Sequence, residues 1–232
     1  MIEEVEMKIL VSDFDGTLFI DNKVTKEDIK KIEEFRKKGN IFIISTARNF
    51  STVKKECLKH SINVDYFFCD IGSVILDNDG NVLYKKYINS YEIEIIESVI
   101  ENYKNIITIK RFGTNSKKVD KNDIIEYKID GEIIVLNEIK HILNSKIKQA
   151  KLQITEDNKL IIHTGTKEEI IQIFINQNSI NKSIITTVGD ELDDLNMLIL
   201  YNGYRMNKCN MKLEKKIQNS VKSISEVIEL II

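Results

Sequence analysis

The stretch VSDFDGTLF, residues 11–19, sets two carboxylates, Asp13 and Asp15, one residue apart behind an apolar run. Ile9, Leu10 and Val11 lead into it, and the segment from Lys8 to Phe14 reads as a buried strand. Like charges crowded at the mouth of such a strand repel and are costly to keep ionised. The chain around them supplies the reason to tolerate that cost.

Downstream, the pattern alternates strand and helix. Thr25 with Asp28 makes a capping box, Ile29, Ile32 and Phe35 form a helical stripe, and Gly39 stops it. IFIIS (41–45) reads as a second strand, residues 51–60 as a helix and VDYFFCD (64–70) as a third strand. Unbroken apolar strands between helices predict a doubly wound, parallel α/β sheet covered on both faces.

The rhythm then changes. SVILDNDGNVLYKKYI holds two strand-like runs around Asp79-Gly80, a hairpin signal. A helix over 91–103, a strand over 107–111, a helix over 133–143 and a second hairpin turning at Asp157-Asn158 follow. After Thr164 the βα rhythm returns, with a capping box at Thr166 and Glu169 and a strand IITTV (184–188) running into GDELDDLNM. The expected organisation is a core over residues 1–74 and 163–232, interrupted by an α+β unit over 75–162.

In an open α/β sheet, ligands sit outside the carboxyl ends of the strands. Asp13 and Asp15 lie at one such end, and Asp190, Asp193 and Asp194 at another. If both strands are central, the carboxylates converge, and a bound cation removes the repulsion. Oxygen-only ligands suit a hard ion, Mg²⁺ above all, with a substrate phosphate completing its shell. Thr46 in ISTAR (44–48) offers a hydroxyl at the end of the second strand. Lys167 sits in the first turn of a helix, where a cation opposes the helix dipole unless it meets an anion. Gly16 lets backbone N–H groups approach an oxyanion.

The set DFDGT, ISTAR, Lys167 and GDELDD, in that order, resembles the haloacid dehalogenase-like superfamily of phosphatases. The insertion opening CDIGSVILDNDGNVLY resembles the cap of the Cof-type subfamily, IIB with a C2 cap. The resemblance implies that Asp13 is the nucleophile that becomes an aspartyl-phosphate and Asp15 the general acid/base. Thr46 and Lys167 would hold the phosphoryl group, and Gly16 would line its site. The implied metal set is Asp13, the backbone carbonyl of Asp15, Asp190 and, in support, Asp194, with Mg²⁺ as cofactor.

The implied activity is a phosphatase of small phosphorylated metabolites, sugar phosphates among them. A phosphomutase or phosphotransferase is the alternative, and a receiver-like signalling domain is a more distant one. The chain departs from the family pattern at four places: Ala47 stands where Gly is common, and Asp193 where Asn is common. Ile71-Gly72-Ser73 replaces NGA, and Lys208 takes the Asn position of MGNA.

Composition narrows the partners. A formal net charge of −2, from 34 basic and 36 acidic residues, gives no reason to expect nucleic acid or an anionic membrane. Three cysteines, Cys57, Cys69 and Cys209, stand at no metal or disulfide spacing. The acidic N-terminus lacks a signal-type apolar region, and no apolar run approaches the ~18 residues of a bilayer span. A cytoplasmic monomer is expected. His163 reads as a hinge histidine, His60 and His141 as helix-surface residues. Lys110, Arg111, Lys117 and Lys118 read as a basic, solvated face of the cap.

Overall fold

The computed structural model of the protein describes residues 7–113, 119–155 and 157–232. Lys117 and Lys118 of the basic stretch lie outside the described residues. In chain order the elements are β1 (Ile9–Ser12), α1 (Lys26–Lys37), β2 (Ile41–Ser45), α2 (Phe50–Lys59), β3 (Tyr66–Cys69), β4 (Val74–Asp77) and β5 (Val82–Lys85). Next come α3 (Ser90–Glu101), β6 (Thr108–Gly113), β7 (Ile124–Asp130), α4 (Ile133–Asn144), β8 (Lys151–Ile154) and β9 (Lys159–His163). The chain ends with α5 (Lys167–Asn178), β10 (Ile185–Gly189), α6 (Leu195–Leu200), β11 (Asn202–Met206), α7 (Met211–Lys216), β12 (Ser220–Val221) and α8 (Ile224–Ile231).

Two compact units result: Met1–Tyr84 with Thr166–Ile232, and Lys85–Gly165. The larger unit is built on a sheet ordered β12-β11-β10-β1-β2-β3-β4-β5. Every pair from β12 to β3 is parallel, and β3 turns back antiparallel onto β4. Alternate strand residues face opposite ways, and here both sets are buried. Ile9, Val11, Ile43, Phe68 and Ile75 pack with Ile170 and Phe174 of α5, Met197 of α6 and Leu213 of α7. Leu10, Phe42, Ile44 and Phe67, on the other set, are buried as well, and α1 and α8 pack against each other and against β2 and β10. The expected parallel α/β sheet with helices on both faces is therefore the observed one.

The helix starts follow the local chemistry. The Thr25 hydroxyl accepts the Asp28 N–H at 3.0 Å, opening α1. The Thr166 hydroxyl accepts the Glu169 N–H at 3.3 Å, opening α5 and fixing Lys167 in its first turn.

The smaller unit has a four-stranded antiparallel sheet, ordered β6-β7-β9-β8. Tyr127, Ile129, Leu160 and Ile162 pack with Ile96 and Ile100 of α3 and Leu136 and Ile139 of α4. Two corrections to the sequence reading arise. The hairpin β4–β5, expected to open the inserted unit, belongs to the larger sheet, so the inserted unit begins at Lys85 rather than at residue 75 and runs to Gly165. The buried run Val74–Leu76 satisfies its backbone by pairing with β3, which a chain turning straight back at residues 70–73 reaches first. The second correction is β7, a strand that the sequence reading passed over. His141 is exposed as expected, while His60 is half-buried, edge-on to the Phe19 ring at 5.6 Å. His163 is buried, its Nδ1 2.9 Å from the Gly165 carbonyl. Cys57, Cys69 and Cys209 are all free thiols. Among the described residues no helix is long and apolar enough to cross a membrane.

Candidate active site

Three neighbouring parallel strands define the site. β1 lies between β10 and β2, with Ser12 level with Val188 and Ile44. The residue that follows each strand emerges at this one edge: Asp13 after β1, and Thr46 and Asp190 one step further along after β2 and β10. The Asp13 N–H donates to the Val188 carbonyl at 2.9 Å, carrying the strand pairing one step into the site.

Asp13, Asp190 and Asp194 are buried and place carboxylate oxygens within 4.8 Å of one another. Lys167 is 2% exposed. Its Nζ lies 2.6 Å from Asp13 Oδ1, 2.6 Å from Asp194 Oδ1 and 3.1 Å from Asp193 Oδ2. The other oxygen of Asp194 accepts the N–H groups of Asp190 and Glu191, both at 2.9 Å. Asp194 thus ties the loop after β10 to the lysine of α5. Asp190 Oδ1 accepts the Thr17 hydroxyl at 2.5 Å. Gly16 has φ +85°, and a Cβ there would fall 2.2 Å from Asp190 Oδ2, so only glycine lets this turn close on the carboxylate.

Asp15 and Thr46 stand beside this cluster. Asp15 is directed to Arg48, whose Nε and Nη2 donate to its two oxygens at 2.7 and 2.5 Å. The Thr46 hydroxyl accepts the Arg48 N–H at 3.1 Å and keeps its own proton for another acceptor. Arg48 and Thr17 carry site contacts that the sequence reading did not assign. Arg48 stood within the ISTAR motif, and Thr17 within DFDGT. Asp193 turns inward to Lys167. Lys208 is exposed.

The electrostatics follow from burial. Burial alone would lower the Lys167 ammonium, but Asp13, Asp194 and Asp193 together hold it well above the usual lysine range. Burial pushes Asp13 well above the carboxylate range against the pull of Lys167, with Asp194 and Asp193 adding to the rise. Asp194 is raised mainly by burial. Asp190 is pushed up to about 7, first by burial, against the Thr17 hydrogen bond and with the repulsion of Asp194. Three carboxylates share one ammonium, and a fourth, Asp190, lies beside them. Such a set fits a hard divalent cation, whose charge inverts that local balance.

The fold gathers a buried acidic cluster and one lysine at the carboxyl ends of three parallel strands of a doubly wound α/β sheet. The model of the haloacid dehalogenase-like hydrolases matches residues 10–162, and the chain belongs to that family, in its Cof-type branch. It is accordingly an enzyme of a hydrolase family. A haloacid dehalogenase-like hydrolase from Bacteroides thetaiotaomicron superposes with a TM-score of 0.81 at 14% identity, over 98% of this chain and 100% of its own. A subclass IIB sugar phosphatase superposes at 0.74 with 17% identity, over 97% and 98% of the two chains. A 5-amino-6-(5-phospho-D-ribitylamino)uracil phosphatase of Bacillus subtilis shares 31% identity over 40% of this chain and 38% of its own.

Proposed function

We propose that the protein is a Mg²⁺-dependent phosphomonoesterase that hydrolyses small phosphorylated metabolites, sugar phosphates foremost, acting as a monomer through an aspartyl-phosphate on Asp13. The observation that carries this reading is the meeting of Asp13 with Lys167, Asp190 and Asp194 at one sheet edge.

A phosphate monoester resists hydrolysis because its anionic oxygens repel nucleophiles. Lys167 and the Thr46 hydroxyl would hold those oxygens and draw off their charge. The Asp13 carboxylate attacks phosphorus as the bond to the leaving oxygen breaks, and Asp15 gives that oxygen its proton. Asp15 then takes a proton from water as the water oxygen attacks the aspartyl-phosphate. Inorganic phosphate leaves and the Asp13 carboxylate is restored. Asp13, Asp190 and the carbonyl of Asp15 would hold the metal ion, with Asp194 bracing them. The ion would supply neutralisation of phosphoryl charge.

The test is phosphate release across a library of phosphorylated metabolites with Mg²⁺, comparing the native chain with Asp13→Asn. The expected result is turnover of a subset of sugar phosphates and its loss, by a factor of at least about 10⁴, in the folded variant. Undiminished turnover by Asp13→Asn removes the nucleophile from the scheme.

A further inference from the structure

An ammonium has three N–H bonds and no more. On Lys167 all three face carboxylates: Asp13 and Asp194 at 2.6 Å, Asp193 at 3.1 Å. A phosphoryl oxygen can be gripped by this lysine only if one of the three gives way. Asp13 and Asp194 are poorly suited to do so. Asp13 is buried directly behind β1, its N–H held by Val188. Asp194 is fully buried, and its second oxygen is fixed by two backbone N–H groups. Asp193 differs in each respect. Its contact is the longest, its side chain is 24% exposed, and among the described residues its carboxylate has no partner besides Lys167.

We infer that Asp193 is a displaceable stand-in for the phosphoryl group: it occupies the third N–H of Lys167 in the resting enzyme and yields it to a phosphate oxygen. This rests on the phosphatase reading and adds a positioning role to a residue that the reading leaves aside. The displaced carboxylate also stays near the incoming anion and repels it. Both effects act in one direction. Asp193 weakens the hold on phosphate, so it raises KM for substrate and hastens release of the inorganic phosphate product.

The experiment is calorimetric titration of inorganic phosphate into the Mg²⁺-supplemented native protein, Asp193→Asn and Asp193→Ala. Asn keeps a neutral acceptor for Lys167, while Ala removes the contact. The dissociation constant for phosphate is expected to fall about tenfold in Asp193→Asn and to fall also in Asp193→Ala, since opposing charge and competition are both relieved. Product inhibition should strengthen by the same factor. Glu27→Gln, which removes an equal charge from the exposed first turn of α1, should leave phosphate affinity within about twofold if long-range field is not the cause. A dissociation constant unchanged or raised in both Asp193 variants overturns the inference, as does an equal gain in Glu27→Gln. Phosphate affinity is read without turnover, so such a failure is separate from failure of the Asp13 test.

Discussion

The guanidinium of Arg48 lies over the stacked rings of Phe14 and Phe19, 5.1 and 5.4 Å from their centroids, while it forks onto both oxygens of Asp15. A bidentate fork fixes direction as well as distance, and the aromatic platform fixes the fork. Asp15, whose side chain is half exposed, would otherwise sample several rotamers. If Asp15 is the general acid, its placement matters most where the leaving oxygen needs a proton. Arg48→Met is therefore expected to lower kcat/KM, which reports the step that expels the leaving group and not the later hydrolysis of the aspartyl-phosphate, by about 10- to 100-fold on an alkyl phosphate. On p-nitrophenyl phosphate, whose leaving group departs as the anion, the loss should stay within about threefold. Steady-state kinetics on the two substrates decides it; equal losses on both would show that Arg48 acts elsewhere. The sequence made Asp13, Thr46 and Asp190 legible because each directly follows an apolar strand, and backbone pairing alone then fixes where it emerges. Arg48 and Asp193 were illegible because a long or loop-borne side chain can point several ways, and only the partner settles which.

At the scale of elements, Glu92 in the first turn of α3 holds together a loop with no regular structure of its own. Its carboxylate accepts the N–H groups of Lys148, Gln149 and Ala150 at 2.7, 2.7 and 2.9 Å, and its own N–H is capped by Asn89 at 2.8 Å. Burial opposes the charge, but these backbone donors prevail and hold Glu92 below the usual glutamate range. Glu92→Ala strands three inward-facing N–H groups, and the expected cost is about 2–4 kcal/mol, read as a lowered denaturation midpoint of the smaller unit. No loss would mean that water replaces the carboxylate freely. The same unit shows where pattern reading stops. IIEYKID, which forms β7, carries charges at Glu126, Lys128 and Asp130, and those charges masked the alternation of Tyr127 and Ile129 toward the unit's core. Conversely, the β4–β5 hairpin was visible as a hairpin, but its sheet was not. β4 joins that sheet through β3, only four residues upstream, and an apolar run alone does not say which of its neighbours a strand pairs with.

For the whole molecule, the acidic cluster couples stability to pH and to metal. Asp190 is pushed up to about 7 from 3.8, and Asp13 and Asp194 also lie above their ordinary values, burial being the leading cause in each. A carboxyl whose pKa is higher folded than unfolded contributes stability that is complete below its unfolded value and lost as pH rises through its folded value. Asp190 therefore makes the metal-free protein less stable as pH climbs from about 4 to 7, and the raised Asp13 and Asp194 act in the same direction. A divalent cation held by the same oxygens acts oppositely. It adds RT ln(1 + [L]/Kd), about 2.7 kcal/mol at a hundredfold excess over Kd, or roughly 5–10 °C in Tm for a chain of this length. Protons compete for those oxygens, so the gain should be small near about pH 5 and reach its full size near about pH 8. Thermal melts with excess MgCl₂ and with EDTA, repeated across that range, measure the difference directly. Asp190→Asn removes a titrating ligand and should both flatten the pH trend and shrink the Mg²⁺ shift. A shift that is absent, or that persists unchanged in Asp190→Asn, would place the ion away from the ends of β1 and β10.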